Sequence, residues 1–192
     1  ANVLDNVNEI NWESDPLMSL FIENKFNEDI SKGSATYNNY GLTSVSLSNT
    51  VNSLYNIKNL VFNEKYSLSE LNDARINNFK NTSIQDILKN QQKFGMDDKE
   101  IINLTNEITK CVSDACATKT TKYGGKFKFG LSSPEYIGGS LNVDASLDGR
   151  CDFEPFDVHI SLDDNKDYTE IMYFASKLDY TKNKFNGNVV DF

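Results

Sequence analysis

The feature that most constrains the fold of this chain is a change in hydrophobic periodicity near residue 120. From residue 15 to about residue 119, apolar side chains recur every three or four positions, as in amphipathic helices. After residue 120 the apolar stretches are short and punctuated by glycine, which is typical of strands and loops. We therefore expect a single partial domain over residues 1–192, mainly helical in 1–119 and built of strands, loops and one helix in 120–192.

Local signals place the individual elements. Asp15 followed by Pro16 supplies a helix N-cap and a first-turn proline, and Ser67 with Glu70 has the spacing of a capping box. The expected helices span residues 16–32, 44–62, 67–79, 82–93 and about 97–115. In the second part we expect strands at residues 126–131, 140–145, 158–162 and 188–192, with one helix over 168–178.

The order of these elements leaves two architectures open, an α+β domain or part of a larger α/β barrel. The sequence stops at residue 192 inside the last expected strand, and a solitary terminal strand leaves backbone groups unpaired. The first residue is Ala1 and not Met, which also indicates a processed or excised chain. We therefore expect a portion of a larger barrel.

Charge narrows the classes of partner. The 192 residues carry a formal net charge of -9, and the pI is near 4.6. Phosphate backbones and anionic membranes require clustered basic residues, so nucleic-acid and membrane partners are not expected. No apolar run approaches the roughly 20 residues that span a bilayer. Three cysteines, an odd number, indicate free thiols in a reducing compartment, and we expect a cytoplasmic protein.

The sequence offers few residues for catalysis. His159 is the single histidine, without neighbouring thiols or carboxylates at metal-ligand spacing, so no metal site is expected. Cys111 and Cys116 are separated by about 500° around a helix, so their thiols diverge, and buried or half-buried bystander roles are expected. Cys151 follows Arg150, whose guanidinium could lower the thiol pKa, although a bystander role is favoured here too.

The most distinctive local feature is the sequence Asp148-Gly149-Arg150. An Asp-Gly turn presents the following arginine rigidly, and an arginine that holds backbone carbonyls or a carboxylate pins a loop. We expect this structural role for Asp148 and Arg150 in preference to direct contact with a substrate. The glycine pairs at residues 124–125 and 138–139 lack the following helix that a phosphate-binding loop requires.

At this loop the chain resembles the glycyl radical enzymes, whose best-known member is pyruvate formate-lyase. Residues 145–150 are similar to the family's loop, which reads small residue-Ser-Pro-Asp-Gly-Arg. Other stretches resemble family motifs in the same order along the chain: residues 29–38, 53–58, 60–65, 93–98, 157–161 and 175–179. Each motif alone is weak, but their order is specific and covers nearly the whole chain from residue 16.

The resemblance implies part of a ten-stranded α/β barrel enclosing a radical site. In this family a backbone glycyl radical near the C-terminus generates a thiyl radical, which starts C–C, C–O or C–N bond cleavage in a small metabolite. A separate S-adenosylmethionine-dependent iron–sulfur activase installs the radical, so the activase is the implied partner, anaerobic life is implied, and a homodimer is left open. No bound cofactor is expected in this chain. Tyr37, Asn38 and His159 are weak substrate-side candidates.

The departures from the family pattern are as informative as the matches. No part of this chain matches the finger-loop cysteine or the Arg-Val-X-Gly-Tyr radical motif, and Ser34, Leu147 and Val158 replace usual family residues. The leading hypothesis is a portion, inactive alone, of a lyase, dehydratase, decarboxylase or formate acetyltransferase-like transferase. One alternative is a catalytically dead binding or regulatory module of the same family. Another is an unrelated acidic α+β binding domain.

Overall fold

The computed structural model describes residues 2–22, 28–131, 134–158, 160–161 and 167–191. Within these ranges the helices are α1 Asn2–Glu9, α2 Pro16–Leu20, α3 Leu47–Leu60, α4 Leu68–Ile76, α5 Ile84–Lys89, α6 Lys99–Ala117 and α7 Tyr168–Lys177. The strands are β1 Tyr40–Thr43, β2 Phe127–Gly130, β3 Ile160–Ser161, β4 Lys184–Phe185 and β5 Val190–Asp191. None of the described helices combines the length and apolarity needed to cross a membrane.

Within the described ranges, all the paired strands run parallel to each other. β1 pairs with β2 from Tyr40 opposite Phe127, and β2 pairs with β4 from Phe129 opposite Lys184, giving the order β1-β2-β4. β3 and β5 form a separate parallel pair. Parallel neighbours require long crossover connections, and the segment between β1 and β2 supplies one with α3, α4, α5 and α6. The described architecture is therefore α/β.

Strand alternation sends one face of the three-stranded sheet into the core. Phe127 and Phe129 are buried, and Tyr40 and Leu42 of β1 pack on the same cluster, which includes Ile101 of α6. On the other face, the Phe185 ring lies over a glycine of β1 and one of β2. An added Cβ on Gly41 would lie 2.5 Å from the Cζ atom of Phe185. Glycine at this position therefore permits the ring to lie close to the strand backbone.

Several sequence predictions are confirmed in their main part. Ser67 and Glu70 form the complete capping box at the start of α4. The Asp98 carboxylate accepts hydrogen bonds from two first-turn N–H groups of α6. Helices α3, α5 and α7 lie inside their predicted ranges but are shorter, and β2 lies inside the predicted strand at residues 126–131.

Other predictions are wrong in extent or type. The helix expected over residues 16–32 ends at Leu20, and Asp29 has an extended backbone that caps a separate 3-10 turn, Ile30–Lys32; residues 23–27 lie outside the described part. No strand forms at 140–145, which follows the 3-10 turn Gly138–Ser140. The expected helical half also contains β1. Local periodicity missed β1 because its four residues are too few to show alternation.

Candidate functional site

The main functional candidate is a cleft of about 820 Å³ beside β1. In the described sheet β1 is an edge strand, and three of its residues, Tyr40, Gly41 and Leu42, line the cleft. Its wall includes aromatic side chains from four segments: Trp12, Tyr37, Tyr40 and Tyr123. This size and aromatic lining are typical of small-molecule sites.

The aromatic wall is anchored to the core through β1. The Trp12 indole Nε1 donates a 3.0 Å hydrogen bond to the Tyr40 hydroxyl, and the two rings meet edge to face with centroids 5.7 Å apart. The Tyr40 ring makes the same kind of contact with Phe127, also at 5.7 Å. Because Phe127 is fully buried, this chain of rings fixes the orientation of the partly exposed Trp12.

The segment that carries Asn38 is held by a close backbone approach. Residues 121–125 turn back against it, and a Cβ on Gly125 would overlap the Asn38 carbonyl oxygen. The Thr121 hydroxyl donates a 2.8 Å hydrogen bond to that same oxygen. Gly33, with φ of 94°, leaves room for the Tyr123 ring. These glycines therefore serve close packing.

A carboxylate network orders the rim of the cleft. The Asp29 carboxylate accepts hydrogen bonds from the Ser31 hydroxyl at 2.6 Å, the Ser31 N–H at 2.9 Å and the Asp15 N–H at 3.3 Å. These hydrogen bonds, the Ser31 hydroxyl first, lower the pKa of Asp29 to about 2. Asp15 in turn caps α2 by accepting from the Met18 N–H. The Asp29 carboxylate is therefore ionised at any physiological pH.

The chemistry available in the cleft is hydrogen bonding. Its described lining offers tyrosine and serine hydroxyls, two asparagine amides and carboxylates, but no thiol or imidazole. Within the described ranges, no cluster of three or more His, Cys, Asp or Glu side chains could hold a metal ion. The arrangement is thus suited to hold a hydroxylated small molecule.

The two described substrate-side candidates both line this cleft. Tyr37 is 82% exposed, so its hydroxyl can meet a ligand. The Asn38 Nδ2 donates to the carbonyls of Gly33, Ala35 and Tyr123 at 3.0 to 3.3 Å. Those bonds leave the Asn38 Oδ1 as the atom that could face a ligand. His159 lies outside the described residues.

The Asp148–Arg150 loop is built around the guanidinium of Arg150, which is 6% exposed. Its nitrogens donate to four backbone carbonyls and one hydroxyl, those of Val143, Asp144, Cys151, Glu154 and Ser146. The guanidinium carbon also lies 4.8 Å from the centroid of the Phe156 ring. These contacts explain why residues 140–145 form no strand, because two of the carbonyls there bind Arg150.

Asp148 connects this loop to α3. One carboxylate oxygen accepts from the Ser146 hydroxyl at 2.5 Å, and the other accepts from the Asn49 side-chain amide at 2.6 Å. Gly149 has φ of 97°, which favours glycine. Because Asn49 lies in the first turn of α3, the loop is at the carboxyl end of β1, whereas Tyr37 and Asn38 precede its amino end. The structure does not bring these two groups of candidates together.

The cysteines occupy three different environments. Cys116 is buried, and burial raises the pKa of its thiol. Cys111 is exposed, so the expectation of a buried or half-buried thiol is wrong for this residue. The Cys151 sulfur accepts a 3.1 Å hydrogen bond from the Gln85 amide, and the Arg150 guanidinium points to carbonyls. None of the three lines the cleft.

Sequence reasoning missed three wall residues, Trp12, Tyr40 and Tyr123. Tyr40 begins the stretch Tyr-Gly-Leu-Thr, in which only Tyr40 and Thr43 are residue types that favour strands, so the sequence gives a weak strand signal there. Trp12 and Tyr123 lie in irregular segments, where no periodic pattern marks them.

Comparison with known proteins identifies the relatives of this chain. A family model described as pyruvate formate lyase-like matches residues 2–136. The chain is 32% identical over 161 residues to (2S)-3-sulfopropanediol dehydratase of Klebsiella oxytoca, an alignment that covers 80% of this chain and 19% of the relative. The chain therefore spans about a fifth of that relative's length.

Solved structures also match this chain. The glycerol-bound, B12-independent glycerol dehydratase of Clostridium butyricum superposes with a TM-score of 0.75 at 32% identity, covering 87% of this chain and 22% of that one. A glycyl radical enzyme of Archaeoglobus fulgidus gives a TM-score of 0.79 at 28% identity, covering 91% and 23%.

These matches confirm the expected α/β barrel portion and show that the unrelated α+β domain hypothesis is wrong. That hypothesis gained support only from the missing strand at residues 140–145, and the Arg150 contacts account for its absence. The chain belongs to the pyruvate formate lyase-like family and corresponds to part of the length of the glycyl radical enzymes that it matches.

Proposed function

We propose that the protein containing this chain is a glycyl radical dehydratase that removes water from a small hydroxylated metabolite. Support comes from the two relatives at 32% identity, which are dehydratases of sulfopropanediol and of glycerol. Of the reactions that the family resemblance left open, this favours C–O bond cleavage over acyl transfer by a formate acetyltransferase.

The single observation that carries the role of this chain is the cleft beside β1. It presents hydroxyl, amide and carboxylate groups on an ordered aromatic wall, which fits a ligand with several hydroxyl groups. We assign the Tyr37 hydroxyl and the Asn38 Oδ1 to hydrogen bonds with that ligand. The rings of Trp12 and Tyr40 exclude water from one side of it.

Bond breaking belongs to other residues of the protein. Gly187 does not lie in the family's Arg-Val-X-Gly-Tyr radical motif, so we do not assign it as the radical-storage glycine. When present, a glycyl radical supplies the hydrogen-abstracting chemistry, and an S-adenosylmethionine-dependent activase installs it without oxygen. The residues that line the cleft beside β1 bind and orient the substrate. The chain alone is expected to bind without turnover.

The test is an activity assay on the complete natural protein, activated anaerobically. Aldehyde formation from glycerol and other vicinal diols supports a dehydratase, whereas formate formation from pyruvate and coenzyme A overturns it. Tyr37→Phe is expected to raise KM about ten-fold, the scale of one lost ligand hydrogen bond. Tyr173→Phe, at an exposed tyrosine of α7 that is not part of the cleft lining, is the matched control and should leave KM unchanged. If Tyr37→Phe and Tyr173→Phe changed KM equally, the assignment of Tyr37 to the substrate site would be wrong.

A further inference from the structure

Four lysines line one cleft at the amino end of β2, although the chain carries a net charge of -9. This lysine cleft has a volume of about 340 Å³ and is completed by Ala117, Thr120 and Asn183. The lysines are Lys119, Lys126, Lys128 and Lys182. No carboxylate belongs to its lining among the residues described by the structure.

Backbone geometry brings these lysines together. Thr120 forms an antiparallel bridge with Lys126, which places Lys119 beside the start of β2. Lys126 and Lys128 flank the buried Phe127, so strand alternation directs both to the face opposite the core.

The fourth lysine comes from the segment that leads into β4. The Asn183 carbonyl accepts a 3.0 Å hydrogen bond from the Phe129 N–H, and the Asn183 amide donates to the carbonyls of Phe127 and Ser113. These bonds hold Lys182 alongside β2. The cluster is therefore fixed by strand pairing, and only the side-chain ends are free to adjust.

Among the four lysines of the lysine cleft, one forms an ion pair with a carboxylate that the structure describes. Lys119 forms an ion pair with Asp5 of α1. For Lys126, Lys128 and Lys182 there is no ion pair with any carboxylate that the structure describes.

Two acidic groups lie close enough to Lys182 to attract it, Asp114 and Asp179. Hydrogen bonds from Lys110 and from Thr181, respectively, are the main causes that lower the pKa of these carboxyls, and the charge of Lys182 adds a smaller attraction to each. Asp114 pairs with Lys110. Asp179 accepts two hydrogen bonds from Thr181 and lies 3.8 Å from the buried Lys184 ammonium. Three ammonium groups that share one cleft repel each other, and an anion placed among them turns that repulsion into attraction.

We propose that the lysine cleft binds a phosphate group, either as inorganic phosphate or as the phosphate of a small metabolite. Lysine binds phosphate as a point charge, and three unpaired ammonium groups match a dianion. The volume suits a small ligand. This site is separate from the cleft beside β1 and does not depend on the proposed dehydratase function.

The experiment is a calorimetric titration of the complete natural protein with inorganic phosphate, glycerol 3-phosphate and chloride at matched ionic strength. Phosphate is expected to bind and chloride is not. Lys128→Gln should weaken phosphate binding about ten-fold, the scale of one charged hydrogen bond, and Lys128→Arg should retain most of it. Lys182→Gln, in an exposed turn, is a second variant that should weaken phosphate binding without disturbing folding.

Lys58→Gln is the matched control, because Lys58 is an exposed lysine that pairs with Glu100 away from the lysine cleft. It should leave the affinity unchanged. Tighter binding of glycerol 3-phosphate than of inorganic phosphate would identify a metabolite phosphate, and the reverse would identify the free ion. The proposal is overturned if chloride binds as well as phosphate, or if Lys58→Gln weakens binding as much as Lys128→Gln.

Discussion

Replacing Arg150 by methionine is expected to destabilise the chain by about 4 kcal/mol, because this side chain holds the Asp148–Arg150 loop. The guanidinium donates to four carbonyls and one hydroxyl while 6% exposed. At about 1 kcal/mol net for each hydrogen bond, their loss costs about 5 kcal/mol, and methionine keeps part of the packing on Phe156. Arg150→Lys is expected to cost about 2 to 3 kcal/mol, since one ammonium cannot reach all five acceptors.

The assay is urea unfolding followed by far-ultraviolet circular dichroism, from which the free energy of unfolding is extrapolated. Arg75→Met is the matched control. Arg75, the other arginine of the chain, donates one 3.2 Å bond to the Ala145 carbonyl and otherwise binds Asn72 within α4. By the same count of about 1 kcal/mol for each acceptor lost, Arg75→Met should cost at most about 2 kcal/mol, because the two bonds of Arg75 to Asn72 share one acceptor. A loss below about 1 kcal/mol for Arg150→Met, no larger than that of Arg75→Met, would refute the loop-pinning role.

Two further predictions concern the cleft beside β1. Gly125→Ala should destabilise the chain by about 2 kcal/mol or more, because the added methyl group overlaps the Asn38 carbonyl oxygen. Gly187→Ala is the control: an added Cβ there meets no atom within 4 Å, so the unfolding free energy should change by less than about 1 kcal/mol. Since the folded-state pKa of Asp29 is lowered to about 2, its stabilising contribution is present above the ordinary value of 3.8 and is lost as the pH falls towards 2. Asp29→Asn should therefore flatten the pH dependence of stability in that window, and an Asp29 pKa near 3.8 by NMR titration would contradict the hydrogen-bond network.

The order of helices was largely predictable because their signals are local. The capping box of Ser67 and Glu70 and the Asp98 cap each involve residues a few positions apart, so the sequence displays them directly. The strands were harder to predict. β1 and β4 have four and two residues, and they exist because β2 pairs with both, which is a long-range relation that periodicity does not show.

The candidate sites also differ in whether a local sequence pattern or a long-range contact forms them. The Asp148-Gly149-Arg150 loop was visible as a local turn motif, and the family motifs drew attention to Tyr37 and Asn38. The aromatic wall was not visible, because Trp12 and Tyr40 are 28 residues apart in the chain and meet through one hydrogen bond. The lysine cleft was missed for a similar reason. The negative net charge of the chain gives no sign of the four lysines, which come together only when the strands pair.

The central claim is that this chain is part of a glycyl radical enzyme, and electron paramagnetic resonance tests it most directly. The complete natural protein is treated anaerobically with its activase and S-adenosylmethionine, and the spectrum is recorded before and after exposure to air. The account predicts a glycyl radical doublet that disappears in air. Its absence, under conditions in which a glycerol dehydratase acquires the doublet, would contradict the claim and support a catalytically dead member of the family.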